Sequence, residues 1–72
     1  MIYHFEFRGE HAWEAMGSGE GHGQDSLSMA LNDLRILHGG ALPAGRYQYI
    51  ASIAAEARWR EFELGADGEM LD

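Results

Sequence analysis

Between residues 2 and 7 the chain reads IYHFEF, an unbroken alternation with Tyr3, Phe5 and Phe7 on one face and Ile2, His4 and Glu6 on the other. Strict period-two alternation rich in aromatic residues predicts a half-buried β-strand. RGEH at 8–11 turns the chain and AWEAM at 12–16 returns as a second strand, which makes residues 2–16 a hairpin. Two rules give it different registers. A two-residue turn at Gly9 and Glu10 pairs Arg8 with His11 and Phe5 with Glu14. A longer loop pairs Phe7 with Trp13 and Phe5 with Ala15 and gathers the apolar side chains on one face. Burial outweighs turn preference, so the second register is expected. Its cost is Glu6 opposite Glu14, a like-charge pair that destabilises by up to about 1 kcal/mol.

From Gln24 the period changes. Leu27, Ala30, Leu31, Leu34 and Leu37 recur at the spacing of one helical face, Asp25 or Ser26 offers an N-cap, and Gly39 and Gly40 offer a stop, so a helix is expected over 25–38. Met29 and Ile36 lie on the opposite side of that helix. They are either scattered exposed apolar residues or the contact of a homodimer. GGALPAG at 39–45 is a loop. The segment 46–64, RYQYIASIAAEARWREFEL, permits two readings. As a helix it sets Glu61 among Ile50, Ile53, Ala54 and Ala57. As a hairpin turning at 54–57 it pairs Tyr47 with Leu64 and Tyr49 with Phe62, and four large apolar groups share one face. The hairpin accounts for more residues, and residues 65–72 then form a C-terminal turn around Asp67 and Gly68, with a short final strand as the alternative for its last residues. The pattern as a whole predicts one α+β domain: a two-layer ββαββ arrangement with a four-stranded antiparallel sheet and one helix packed on one face.

Residues 17–23, GSGEGHG, carry glycine at every second position and lead into the helix. A dinucleotide fingerprint needs glycines at its first, third and sixth positions. Starting from Gly17 or Gly19, the sixth residue is His22 or Gln24. A P-loop needs a Lys followed by Ser or Thr, and neither the Lys nor the pair is present. Glu20 and Asp25 would also repel a phosphate at the helix N-terminus. The string is therefore read as a flexible connector with no cofactor.

Composition narrows the function classes. Twelve acidic residues stand against five arginines and no lysine, for a formal net charge of −7. Phosphate contacts need Lys and Arg, so direct binding to nucleic acid or an anionic membrane is disfavoured and a basic protein partner is favoured. The same charge also serves solubility. With 72 residues and no cysteine, the chain has neither disulfides nor thiolate metal sites to staple a small core. No apolar run approaches the roughly 18 residues of a membrane span, and the N-terminus has no signal-peptide pattern. A cytoplasmic location is expected.

His4, His11, His22 and His38 show no metal-ligand spacing, and His38 suits a cation at the helix C-terminus. Ser18, Ser26, Ser28 and Ser52 lie in no nucleophile context, so no catalytic residue and no metal are assigned. What remains is the outer face of the sheet. If both hairpins form, Glu6, Glu14, Glu61 and Glu63 project from it beside Gln48, with Trp59 as an anchor, since Trp is enriched at binding hot spots. Such a face can occupy a basic groove as phosphates do. Alternatively it is a solvated, salt-screened surface.

In size, acidity, absence of cysteine and the layout of YHFEF, DSLSMALNDLRIL and RYQYIASIAAEARWREFEL, the chain resembles the small acidic phage-encoded anti-CRISPR proteins. That resemblance covers the whole chain as a pattern and has no signature motif. It implies a nucleic-acid mimic in the cytoplasm of a host bacterium, a non-enzymatic inhibitor that blocks a basic nucleic-acid-binding surface or a subunit contact of a CRISPR effector complex. The alternative is a small homo-oligomeric scaffold or regulatory subunit that uses Met29 and Ile36.

Overall fold

The computed structural model describes residues 1–52 and 57–71. Its elements are β1 (Ile2–Arg8), β2 (Trp13–Glu20), a 3-10 turn (Gly23–Asp25), α1 (Ser26–Leu37), β3 (Gly45–Ala51), β4 (Arg60–Leu64) and β5 (Met70–Leu71). The strands form one antiparallel sheet in the order β2-β1-β3-β4-β5, with α1 on one face. The fold class is α+β as expected, but the sheet has five strands and not four. The fifth arises because the turn at 65–68 closes tightly. Gly68 takes φ 85°, its N–H donates to the Gly65 carbonyl, and Asp67 Oδ1 accepts the Glu69 N–H. The chain is thereby returned onto Glu63 and Leu64.

Within segment 46–64 the described residues follow the hairpin reading, with β3 and β4 paired antiparallel. Tyr47 faces Phe62 and Tyr49 faces Arg60, two residues from the expected register. A two-residue slip leaves every side chain on its original face. The turn expected at 54–57 falls largely on 53–56, outside the described residues.

The glycine string is not a connector. β2 runs through Ser18 to Glu20, so the hairpin expected to end at residue 16 extends four residues further. Its register matches neither expectation. Arg8 faces Trp13, Phe7 faces Glu14 and Glu6 faces Ala15. A bulge at Met16 then shifts the ladder so that Phe5 faces Gly17 and Tyr3 faces Gly19. Gly21 continues the row by exchanging hydrogen bonds with Met1. The bulge thus turns three glycines toward the core side, where Tyr3 and Phe5 point.

The helix lies directly on that row. A Cβ on Gly19 would overlap the carbonyl oxygen of Ala30 and stand 2.8 Å from its carbon. On Gly21 it would overlap the Ser26 carbonyl and stand 2.7 Å from the Ser26 Cα, and on Gly17 it would meet Leu37 Cδ2 at 2.9 Å and Leu34 Cδ1 at 3.4 Å. Two strand residues advance about 6.8 Å and four helix residues about 6 Å. Gly21, Gly19 and Gly17 can therefore step past Ser26, Ala30 and Leu34 in near-register, with α1 antiparallel to β2.

Above this seat the core closes. Tyr3, Phe5, Ala30, Leu31, Leu34, Tyr47, Phe62 and Leu64 are buried, and the Tyr47 and Phe62 rings stack with centroids 5.5 Å apart. Leu27 is half-buried, whereas Leu37, expected on the same face, is 64 % exposed at the last helical residue. Asp25 occupies the N-cap position without a side-chain capping bond. The Ser26 hydroxyl instead meets the Tyr3 hydroxyl at 2.5 Å. At the other end Gly39 and Gly40 adopt φ 81° and 104°, and their N–H groups donate to the Ile36 and Arg35 carbonyls. This is the double closure that ends a helix on glycine. His38 donates from Nε2 to the carbonyl of the bulged Met16 at 2.7 Å, tying the end of α1 to the irregularity in β2.

Two predictions follow from this packing. Gly19→Ala forces the backbones of α1 and β2 apart, so its melting curve should show a loss of about 3 kcal/mol or more, because no flexible side chain can yield. Ser18→Ala, on the other side of the same strand, should leave the melting curve nearly unchanged. Tyr47 is fully buried with its hydroxyl donating to the Pro43 carbonyl at 2.6 Å. Burial pushes its pKa up to about 12, with Arg35 opposing the shift. The unfolded chain gives up this proton near pH 10, so between about pH 10 and 12 it binds fewer protons than the folded form and stability falls as pH rises. Urea titrations should show a loss of about 2 kcal/mol across that window, and Tyr47→Phe should lack this component.

Candidate functional site

Alternation along the strands places one set of side chains on the face of the sheet away from α1. The ladders align Ala15, Glu6, Gln48 and Glu61 in a single row across β2, β1, β3 and β4. Arg46 faces Glu63, which faces Leu71 in β5, and His4 faces Ile50. Ile2 and Leu71 are exposed apolar residues at opposite margins of this face.

The polar groups of the row hold one another. Gln48, only 9 % exposed, donates from Nε2 to Glu6 Oε1 at 2.6 Å. Arg46 straddles β4, with Nη2 3.1 Å from Glu63 Oε1 and Nη1 3.4 Å from Glu61 Oε1. The carboxylates therefore sit at set positions with a guanidinium between two of them. The expected residues Glu6, Gln48, Glu61 and Glu63 do come together on one face. Trp59 stands just before β4, in the alternation of Glu61 and Glu63, and is 41 % exposed.

Glu14 does not join them. It faces Phe7 on the helix side of the sheet, with its carboxyl group folded against Gly9. The cause is the one-residue displacement of the register, which also sets Glu6 opposite Ala15 and so removes the expected repulsion between Glu6 and Glu14. Arg46 was not anticipated as part of this face. In the expected register it lay opposite Gly65, and only the two-residue slip brings it across from Glu63. Its signal in the sequence was that it is the cation nearest Gln48 on the same alternation. Trp13 takes a different role, beneath the Arg8 guanidinium 5.9 Å from its ring centroid. On α1, Met29 and Ile36 are 43 % and 70 % exposed.

No group of three or more His, Asp or Glu side chains that could hold a metal ion occurs among the described residues. Nor is any helix among them long and apolar enough to cross a membrane. Fold and surface together define a small α+β domain with an uncovered polar sheet face. Comparisons with protein-family models, with curated proteins and with solved structures found no match.

The ion pairs of Arg46 are about half exposed, and exposed pairs contribute little because water and salt screen them. Arg46→Gln should therefore cost less than about 1 kcal/mol in chemical denaturation. Its larger effect should be on electrophoretic mobility and on attraction to cations.

Proposed function

We propose that the protein acts by binding another protein, as a non-enzymatic inhibitor that covers a basic, nucleic-acid-handling surface. The particular form we favour is an anti-CRISPR protein in the cytoplasm of a host bacterium, occupying a DNA-binding surface or a subunit contact of a CRISPR effector complex. The observation that carries this reading is the uncovered sheet face on which Gln48 and Arg46 position Glu6, Glu61 and Glu63. Carboxylates already held in place lose less side-chain entropy on meeting a cationic partner than free ones would. The formal net charge of −7 would speed encounter with a basic surface, and Trp59 supplies an aromatic anchor at the end of the face.

The test is expression in a bacterium with active CRISPR interference, scored by the plating of a targeted phage and by affinity capture of the effector at rising salt. The wild-type chain should restore plating. The variant carrying Glu6→Gln, Glu61→Gln, Glu63→Gln and Trp59→Ala should lose this effect and bind the captured protein at least about tenfold more weakly, with a flatter salt dependence. Unchanged binding by the folded variant would overturn the reading. The exposure of Met29 and Ile36 favours a second reading, a homodimeric scaffold or regulatory subunit. It predicts a concentration-dependent mass that Ile36→Glu abolishes.

A further inference from the structure

At the centre of the outer sheet face, Glu6 and Gln48 stand opposite each other on β1 and β3. Among the described residues the Glu6 carboxylate has no cationic partner. The arginines nearest to it on the same alternation are both engaged, Arg46 with Glu61 and Glu63 and Arg8 over the Trp13 ring. Gln48 is only 9 % exposed, yet its amide is half satisfied. Its Nε2 donates to Glu6 Oε1 at 2.6 Å, while its Oε1 accepts no hydrogen bond among the described residues. That oxygen is not enclosed, and the planar amide directs it away from Glu6. It therefore receives water or a donor from another molecule.

We infer that Gln48 and Glu6 together receive an arginine side chain of the partner. The assignment of such a ligand rests on the reading of the outer face as the protein-binding surface, and it names the group recognised there. A guanidinium presents a planar fork of N–H donors, so one N–H reaches Gln48 Oε1 while another reaches Glu6 Oε2. The two acceptors stand on adjacent strands about 4.8 Å apart, a span that suits the fork better than the compact ammonium of lysine. Charge selects a cation at this spot. Glu61 flanks Gln48 on β4, and Glu69, held opposite Gly65 by the Gly65 N–H, shares the face of Glu63 and Leu71. Ile50, the next residue of β3 on this face, and the exposed Trp59 offer apolar cover to the stem of the incoming side chain.

The experiment is a titration of the 15N-labelled full chain with acetylated, amidated hexa-arginine and, in parallel, with hexa-lysine of equal charge. The backbone signals of Glu6, Gln48 and Ile50 and the side-chain amide signal of Gln48 should move. Hexa-arginine should bind at least about threefold more tightly than hexa-lysine. Neither readout needs a variant. Gln48→Met removes the acceptor at constant net charge and similar length; it should weaken hexa-arginine about fivefold and leave hexa-lysine within about twofold. Glu69→Gln, which removes a charge from the same face away from the pair, should keep the preference for arginine. Equal affinity for the two peptides, no response to hexa-arginine, an unmoved Gln48 side-chain signal, or full hexa-arginine binding by folded Gln48→Met would overturn the inference. A preference for arginine in a chain that fails to restore phage plating would overturn the inhibitor reading and leave the arginine site standing. Plating restored by Gln48→Met as well as by the wild-type chain would do the reverse.

Discussion

The structure depends on a contact between two backbones. α1 rests on β2 with no side chain between them at Gly19 and Gly21, where even a methyl group would strike the carbonyls of Ala30 and Ser26. Close approach of this kind brings Ala30, Leu31 and Leu34 of a twelve-residue helix within reach of the sheet's aromatic side chains, so a short chain can close a core that among the described residues holds eight buried apolar side chains. Small domains bury little of their surface, and removing side chains from the seat is one way to lower the helix onto the sheet. The cost is conformational, because glycines in a strand lose more backbone freedom on folding than other residues do.

The bulge at Met16 makes this seat possible and decides much else. Without the extra residue, the alternation of β2 would turn Gly17 and Gly19 outward and leave Ser18 under the helix. With it, Gly17 and Gly19 face Phe5 and Tyr3. The Met16 carbonyl, displaced from the regular ladder, is taken up by His38 from the end of α1. Asp33, from the helix, accepts the Glu20 N–H at the C-terminal end of the strand. His38 at the end of α1 and Asp33 within it thus take up a mid-strand and a terminal backbone group of an edge strand whose free backbone groups would otherwise invite pairing with another chain. The same displacement separates Glu14 from Glu6, so a hairpin that seemed to carry a repulsive pair carries none.

On the far face, the charges are arranged and not merely accumulated. Gln48 is the buried centre of the row, and its hydrogen bond to Glu6 together with the Arg46 fork over Glu61 and Glu63 turns a run of like charges into a patterned surface. Each of these interactions is weak in water. Their joint effect is positional: a partner meets carboxylates at set spacings instead of a diffuse cloud of mobile ones.

Local chemistry made a good part of this legible in advance. The helix was readable from its period and from Gly39 and Gly40, because both signals act within a few residues. The faces of β1, β3 and β4 were readable because side-chain direction alternates whatever the pairing. Glu6, Gln48, Glu61 and Glu63 could accordingly be placed together from the chain alone. Strand register could not be read, since slips of two residues preserve every face and only packing against the rest of the core chooses among them. In the second hairpin that choice set Arg46 opposite Glu63 on the face it already shared with Gln48, and in the first a displacement of one residue moved Glu14 to the helix side. The two residues of β5 are too few to carry a period at all. The glycine string held its meaning in plain view: spacing by two is the strand period, but residues without side chains give no hydrophobic signal, and their role appears only when the helix backbone they admit is in place.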